Sequence, residues 1–90
     1  MDWFEQRVTH QPGVQGGAAV ICGTRTPVST IVAMYPVYGS EVARIVDALP
    51  HLTEDDVRAA LAYHQRHRAE IDAESEREER AVAALLATVG

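Results

Sequence analysis

Four residues in this sequence of 90 residues are candidates for contacts with phosphate groups, namely Arg25, His51, Thr53 and Arg58. Arginine donates paired hydrogen bonds to phosphate oxygens, and histidine and threonine supply single donors. If the chain binds DNA, we predict that these four residues form the contact surface. The alternative is structural: Arg25 follows a glycine turn and could pair within the fold, and Thr53 could serve only as a helix cap.

A second group of residues, near the C-terminus, has the pattern of a helix that binds a partner protein. Arg77 and Arg80 precede an apolar row at helical spacing, formed by Val82, Leu85 and Leu86. Such a row fits a hydrophobic groove, and the two arginines could be directed at an acidic site on the partner. The alternative is a helix that packs within the chain or in a dimer, with both arginines in solvent.

Few residues could support catalysis or hold a metal ion. Cys22 lies in a predicted strand, where a free cysteine is usually a small buried hydrophobe, and only His10 is a candidate base for it. His64 and His67 could share a helix face, but no cysteine or third histidine is placed to complete a metal site. We therefore predict a protein that is not an enzyme and has no metal site and no cofactor.

The composition favours a protein partner over general attraction to nucleic acid. The formal net charge is -5, whereas nucleic-acid-binding domains are usually basic. Apolar residues make up 47% of the chain and charged residues 23%, as in ordinary globular domains. No apolar run is long enough to span a membrane, no signal peptide is evident, and a single cysteine excludes an internal disulfide. We expect one cytoplasmic domain.

Glycine-bounded segments near the N-terminus predict two short strands, over residues 7–10 and 18–22. The second is the stronger prediction because Val20 and Ile21 are both frequent in strands. A ribbon of only two strands is marginally stable in water. We therefore expect Val20 and Ile21 to take part in dimerisation, through pairing of the ribbon with a second chain.

Three helices are predicted after the strands. The first opens at Thr26-Pro27 and ends before Pro36, the second is capped by Ser40 and ends at Pro50, and the third opens at Thr53 with an acidic first turn. The second and third helices, with their short link, match the helix-turn-helix pattern. Residues 69–90 form a helical tail, either continuous with the third helix or separate, and we assign partner binding to it and the helix-turn-helix domain to residues 1–68.

Two separated motifs in this order resemble a known bacterial family. The first joins Gly13-Val14-Gln15-Gly16-Gly17 to residues 20–28, Val-Ile-Cys-Gly-Thr-Arg-Thr-Pro-Val. The second is residues 50–63, Pro-His-Leu-Thr-Glu-Asp-Asp-Val-Arg-Ala-Ala-Leu-Ala-Tyr. Together they resemble the antitoxin-like family known as domain of unknown function number four-three-three, which is grouped with VapB-type antitoxins.

The resemblance implies a mainly α fold with a homeodomain-like tri-helical core, short N-terminal strands and a C-terminal helical extension. It also implies a dimer that neutralises a PIN-like ribonuclease toxin and binds operator DNA together with it. Ala18, Ala19 and Cys22 stand where the family usually has a basic residue, a proline and an arginine, whereas Arg25 follows the family pattern. The alternatives are a stand-alone helix-turn-helix transcriptional regulator and a dimerisation adaptor.

Overall fold

A computed structural model describes residues 2–89 of the chain as a small helical fold with a strand ribbon at its N-terminal end. Its elements, in order, are a 3-10 turn over Trp3–Arg7, strand β1 (Val8–His10), a 3-10 turn over Gln15–Gly17, strand β2 (Ala19–Ile21), and helices α1 (Val28–Val37), α2 (Val42–Ala48), α3 (Glu54–Arg66) and α4 (Arg68–Val89). The predicted mainly helical fold, with short N-terminal strands and a C-terminal helix, is confirmed. Gly90 lies outside the described residues.

The two strands form an antiparallel ribbon, and both edges of β2 are paired with segments of the same chain. Val8 lies opposite Ile21, and the other edge of β2 contacts the start of α1, where Val20 bridges Pro27. Val20 and Ile21 are each only 1% exposed. Their side chains therefore stabilise the fold of a single chain, and dimerisation through the ribbon stays a prediction.

Three of the predicted helix ends are wrong by one or two residues. Pro27 is the N-cap of α1, and the Thr26 hydroxyl bonds to the His51 ring 2.7 Å away instead of capping the helix. Pro36 lies in the last turn of α1 rather than after it. Ser40 has a φ of 58°, and the N-cap of α2 is Glu41. Each end depends on contacts or backbone angles that local sequence rules do not contain.

The start of α3 follows the sequence prediction closely. The backbone N–H of Asp56 donates to Oγ1 of Thr53 over 3.1 Å, and the backbone N–H of Thr53 donates to Oδ2 of Asp56 over 3.0 Å. This reciprocal capping box satisfies two donors that the first turn would otherwise leave unpaired. The acidic side chains of this turn also interact favourably with the positive end of the helix dipole.

The core lies between α1, α2, α3 and the first half of α4. Ile31, Ile45, Val57 and Ile71, one from each helix, are 0% exposed. The helical path breaks at His67, so α4 is a separate helix that turns back across α1 and α3. Ile71 places the beginning of the predicted tail, residues 69–90, inside the same core as residues 1–68.

Candidate functional site

The second half of α4 leaves the core and is largely exposed to solvent. Every residue from 76 to 87 is exposed, whereas Ile71 and Glu74 in the first half are buried. The exposed stretch includes the predicted apolar row, in which Val82 is 55% exposed, Leu85 is 65% exposed and Leu86 is 67% exposed. Contiguous apolar surface of this kind commonly marks a binding site, because its burial by a partner is favourable.

The apolar row borders a groove between α4 and α1. The groove has a volume of about 420 Å³ and is lined by Ser29, Ala33, Ser75, Glu78, Glu79, Val82, Ala83 and Leu86. The buried hydroxyl of Ser29 donates to Oε1 of Glu78 over 3.1 Å, which holds α4 against α1 at one end of the groove. Ser29 and Ala33, small residues one helical turn apart, leave this space open, and the sequence interpretation had not singled them out.

The two arginines of the predicted partner-binding group lie just before the apolar row. Arg80 is 75% exposed at its side chain and pairs with Glu76 over 3.3 Å, a surface ion pair of small energetic value. Arg77 is exposed and lines a second groove, together with Glu74 and the glycine-rich turn over Gln15–Gly17. Helical spacing places both guanidinium groups about 120° or more around α4 from Val82 and Leu86. A partner must therefore wrap around the exposed half of the helix to contact the row and the arginines together.

The predicted DNA-contact residues are brought together only in part. The hydrogen bond between Thr26 and His51 joins the loop that carries Arg25 to the loop before α3. The Thr53 hydroxyl is used as a helix cap, and Arg58 pairs with Glu54 over 2.9 Å and with Asp55 over 3.5 Å. The acidic first turn therefore offsets much of the positive charge that Arg58 would offer to phosphate.

The N-terminal segment also covers part of α3. Glu5 contacts His67 just after the helix over 2.7 Å, Arg7 pairs with Asp56 over 3.0 Å, and Asp2 forms an ion pair with Arg66. A recognition helix needs a free face to enter the major groove of DNA. In this structure, the N-terminal segment occupies surface at both ends of α3.

The histidines and the cysteine that were candidates for chemistry each contact a different part of the fold. Cys22 lies just after β2 and is exposed rather than buried, and its thiol donates to the backbone oxygen of Gln6. His64 pairs with Asp72 over 2.9 Å, and the His67 ring stacks on Tyr63 at 4.1 Å between centroids. His10 lies beside Glu70 on α4, a carboxylate neighbour that the sequence interpretation had missed.

Carboxylates of α4 are the clearest omission from the sequence-based site. Residues 72–79 carry five acidic side chains to which the sequence interpretation assigned no role, but Glu74 among them is 5% exposed. Helical spacing from Ile71 places residue 74 on the buried side, which was the available signal.

Within residues 2–89, no helix combines the length and hydropathy that a membrane span requires.

Comparison with known proteins identifies the family of the chain. The sequence profile described as "Protein of unknown function (DUF433)" matches residues 8–64. The fold is similar to the crystal structure of a DUF433 member from Anabaena variabilis ATCC 29413, with 37% sequence identity and a TM-score of 0.68 over 78% of this chain and 68% of that chain. No curated protein gives a significant match. The profile match and this structural similarity show that the chain belongs to the DUF433 family.

Proposed function

We propose that this protein is the antitoxin of a type II toxin-antitoxin pair, without catalytic activity of its own, and that α4 neutralises a PIN-like ribonuclease. The observation that carries the proposal is the exposure of residues 76–87, with Val82, Leu85 and Leu86 in one row. An isolated helix of this length is marginal in water, so a partner that covers the row would stabilise it.

The charges beside the row favour an acidic partner. A PIN-like active site is a cluster of carboxylates that binds metal, and Arg77 and Arg80 lie eight and five residues before Leu85 on the same helix, about 12 and 7.5 Å along its axis. If the partner covers the row and also wraps around to the opposite side of α4, an arginine at that cluster would compete with the metal ion by charge. The resemblance to VapB-type antitoxins supports the same partner class, and the cytoplasm is the compartment in which such a pair acts.

Operator binding takes second place in this proposal. The DNA affinity expected of Arg25, His51, Thr53 and Arg58 is lowered by two features of the structure. Arg58 pairs with Glu54 and Asp55. The N-terminal segment also covers part of α3. A stand-alone regulator would need all four side chains free to contact DNA. The third alternative, a dimerisation adaptor, would place a second copy on the α4 row and would leave ribonuclease activity unchanged.

We expect the double substitution Arg77→Ala and Arg80→Ala to weaken inhibition of the ribonuclease by about tenfold or more, because two cations near an acidic site are removed. Ribonuclease activity on a fluorescent RNA, titrated with the purified chain, measures the effect. Arg44→Ala is the matched control, since Arg44 is an exposed arginine of α2 that pairs only with Glu41 at 2.9 Å among the ion pairs of the described chain. Equal inhibition by the double variant and the control would rule out charge competition.

A further inference from the structure

A separate cluster of side chains lies where β1 meets the first half of α4. It consists of His10, Glu70 and Glu74, which each offer one ligand atom, and these three atoms all lie within 4.8 Å of one another. His10 comes from β1, and the two glutamates are one turn apart on α4. The cluster is distinct from the exposed row at the other end of the helix.

One oxygen of each carboxylate is already fixed by a donor of the protein. The hydroxyl of Tyr63 donates to Oε2 of Glu70 over 3.0 Å, and the backbone N–H of Ala19 donates to Oε1 of Glu74 over 3.4 Å. Oε1 of Glu70 faces Nε2 of His10 at 3.2 Å. Donors of this kind orient metal ligands in known sites, where they fix the carboxylate before the ion binds.

The remaining oxygen of Glu74 is the unexplained feature. Glu74 is 5% exposed, and its Oε2 is buried with no hydrogen-bond partner among the described residues. Burial raises the pKa of the Glu74 carboxyl, the hydrogen bond from Ala19 lowers it, and the neighbouring charge of Glu70 raises it again. A buried acceptor without a partner is costly, and folded proteins usually satisfy such groups with a water or an ion.

We propose that His10, Glu70 and Glu74 bind a divalent transition-metal ion, with Zn²⁺ as the representative. An imidazole nitrogen with two carboxylates suits zinc and its neighbours better than magnesium or calcium, which prefer oxygen ligands alone. In a tetrahedral site with bonds of about 2.0 to 2.1 Å, ligand atoms lie about 3.3 Å apart. Nε2 of His10 and Oε1 of Glu70 lie 3.2 Å apart, close to that spacing, and the ligand atom of Glu74 lies within 4.8 Å of both, so a modest side-chain adjustment would complete the site.

The site also has an entry path and a structural consequence. The His10 side chain is 43% exposed and borders an open groove of about 480 Å³ along the loop with Pro12 and Gly13, so a hydrated ion can approach from solvent. Three protein ligands leave a fourth position for water. The bound ion would tie His10 of β1 to residues 60 and 64 positions later on α4, and so fix the helix that carries the exposed row.

The test is a titration of the full chain, without an affinity tag and after chelation and desalting, with ZnCl₂ in a calorimeter. We expect one saturable equivalent per chain and a melting temperature at least about 5 °C higher in excess Zn²⁺. CoCl₂ should give a visible absorption band whose intensity reports the ligand geometry.

Three variants make the assignment specific. His10→Ala and Glu74→Gln should each weaken Zn²⁺ binding by about tenfold or more, whereas His64→Ala, which removes the partly buried histidine paired with Asp72, should bind Zn²⁺ like the parent. His10 is exposed, so its variant keeps the test valid even if Glu74→Gln folds poorly. Absence of saturable binding at about 100 μM Zn²⁺, or equal affinity for His10→Ala and the parent, would overturn the proposal.

Discussion

Replacement of Leu86 by aspartate is expected to abolish copurification with the proposed ribonuclease partner, with affinity reduced by about a hundredfold or more. Leu86 is 67% exposed and borders the groove between α4 and α1, so its side chain would enter the contact area when a partner covers the row. A carboxylate buried in an apolar contact without a partner charge loses its hydration, and the penalty is several times that of removing the leucine alone.

The control for this substitution is Ala87→Asp. Residue 87 is exposed, lies on the same turn and adds the same charge at the same end of α4, but helical spacing places it away from Val82 and Leu86. Both variants should melt within a few degrees of the parent, because neither residue is part of the core. If Leu86→Asp binds as the parent does, or if Ala87→Asp is equally defective, the row is not the docking surface.

Truncation of Ile71 to alanine should have the largest effect on stability, about 3 kcal/mol in the free energy of unfolding. Ile71 is 0% exposed and anchors α4 to the core, and a cavity at this position would remove contacts from several helices. For a domain of this size, that loss corresponds to a melting temperature about 12 to 24 °C lower. Urea unfolding followed by circular dichroism measures it.

The matched control is Val82→Ala, a truncation on the same helix at a side chain that is 55% exposed. Because solvent already covers most of Val82, its truncation should change the free energy of unfolding by less than about 0.5 kcal/mol. A change below about 1 kcal/mol for Ile71→Ala would show that the first half of α4 does not belong to the core, contrary to the fold described above.

Local rules predicted the parts of the fold that depend on neighbouring residues. The capping box at Thr53 follows from residues three apart, and the β1–β2 ribbon follows from glycine-bounded apolar runs. The cap at Ser40 failed because its backbone angles are set by the turn between α1 and α2. The cap at Thr26 failed because its hydroxyl bonds to His51, 25 positions away, and no local pattern contains that contact.

The candidate sites show the same division. The apolar row of α4 was predictable from spacing alone, since Val82, Leu85 and Leu86 share one helix face. The cluster of His10, Glu70 and Glu74 was not, because it brings together residues about 60 positions apart. We predicted dimerisation through Val20 and Ile21 because a ribbon of two strands is marginally stable by itself. In the structure, α1 and the rest of the core cover the ribbon within one chain.

Co-expression with the product of the adjacent reading frame tests the central claim most directly. We expect that product to be a ribonuclease that stops growth when expressed alone, and to be purified as a stable complex with this chain when both are present. Growth should be restored by the full chain and not by the Leu86→Asp variant. No complex, together with no toxicity of the neighbouring product, would contradict the antitoxin account and would favour operator binding by the chain alone.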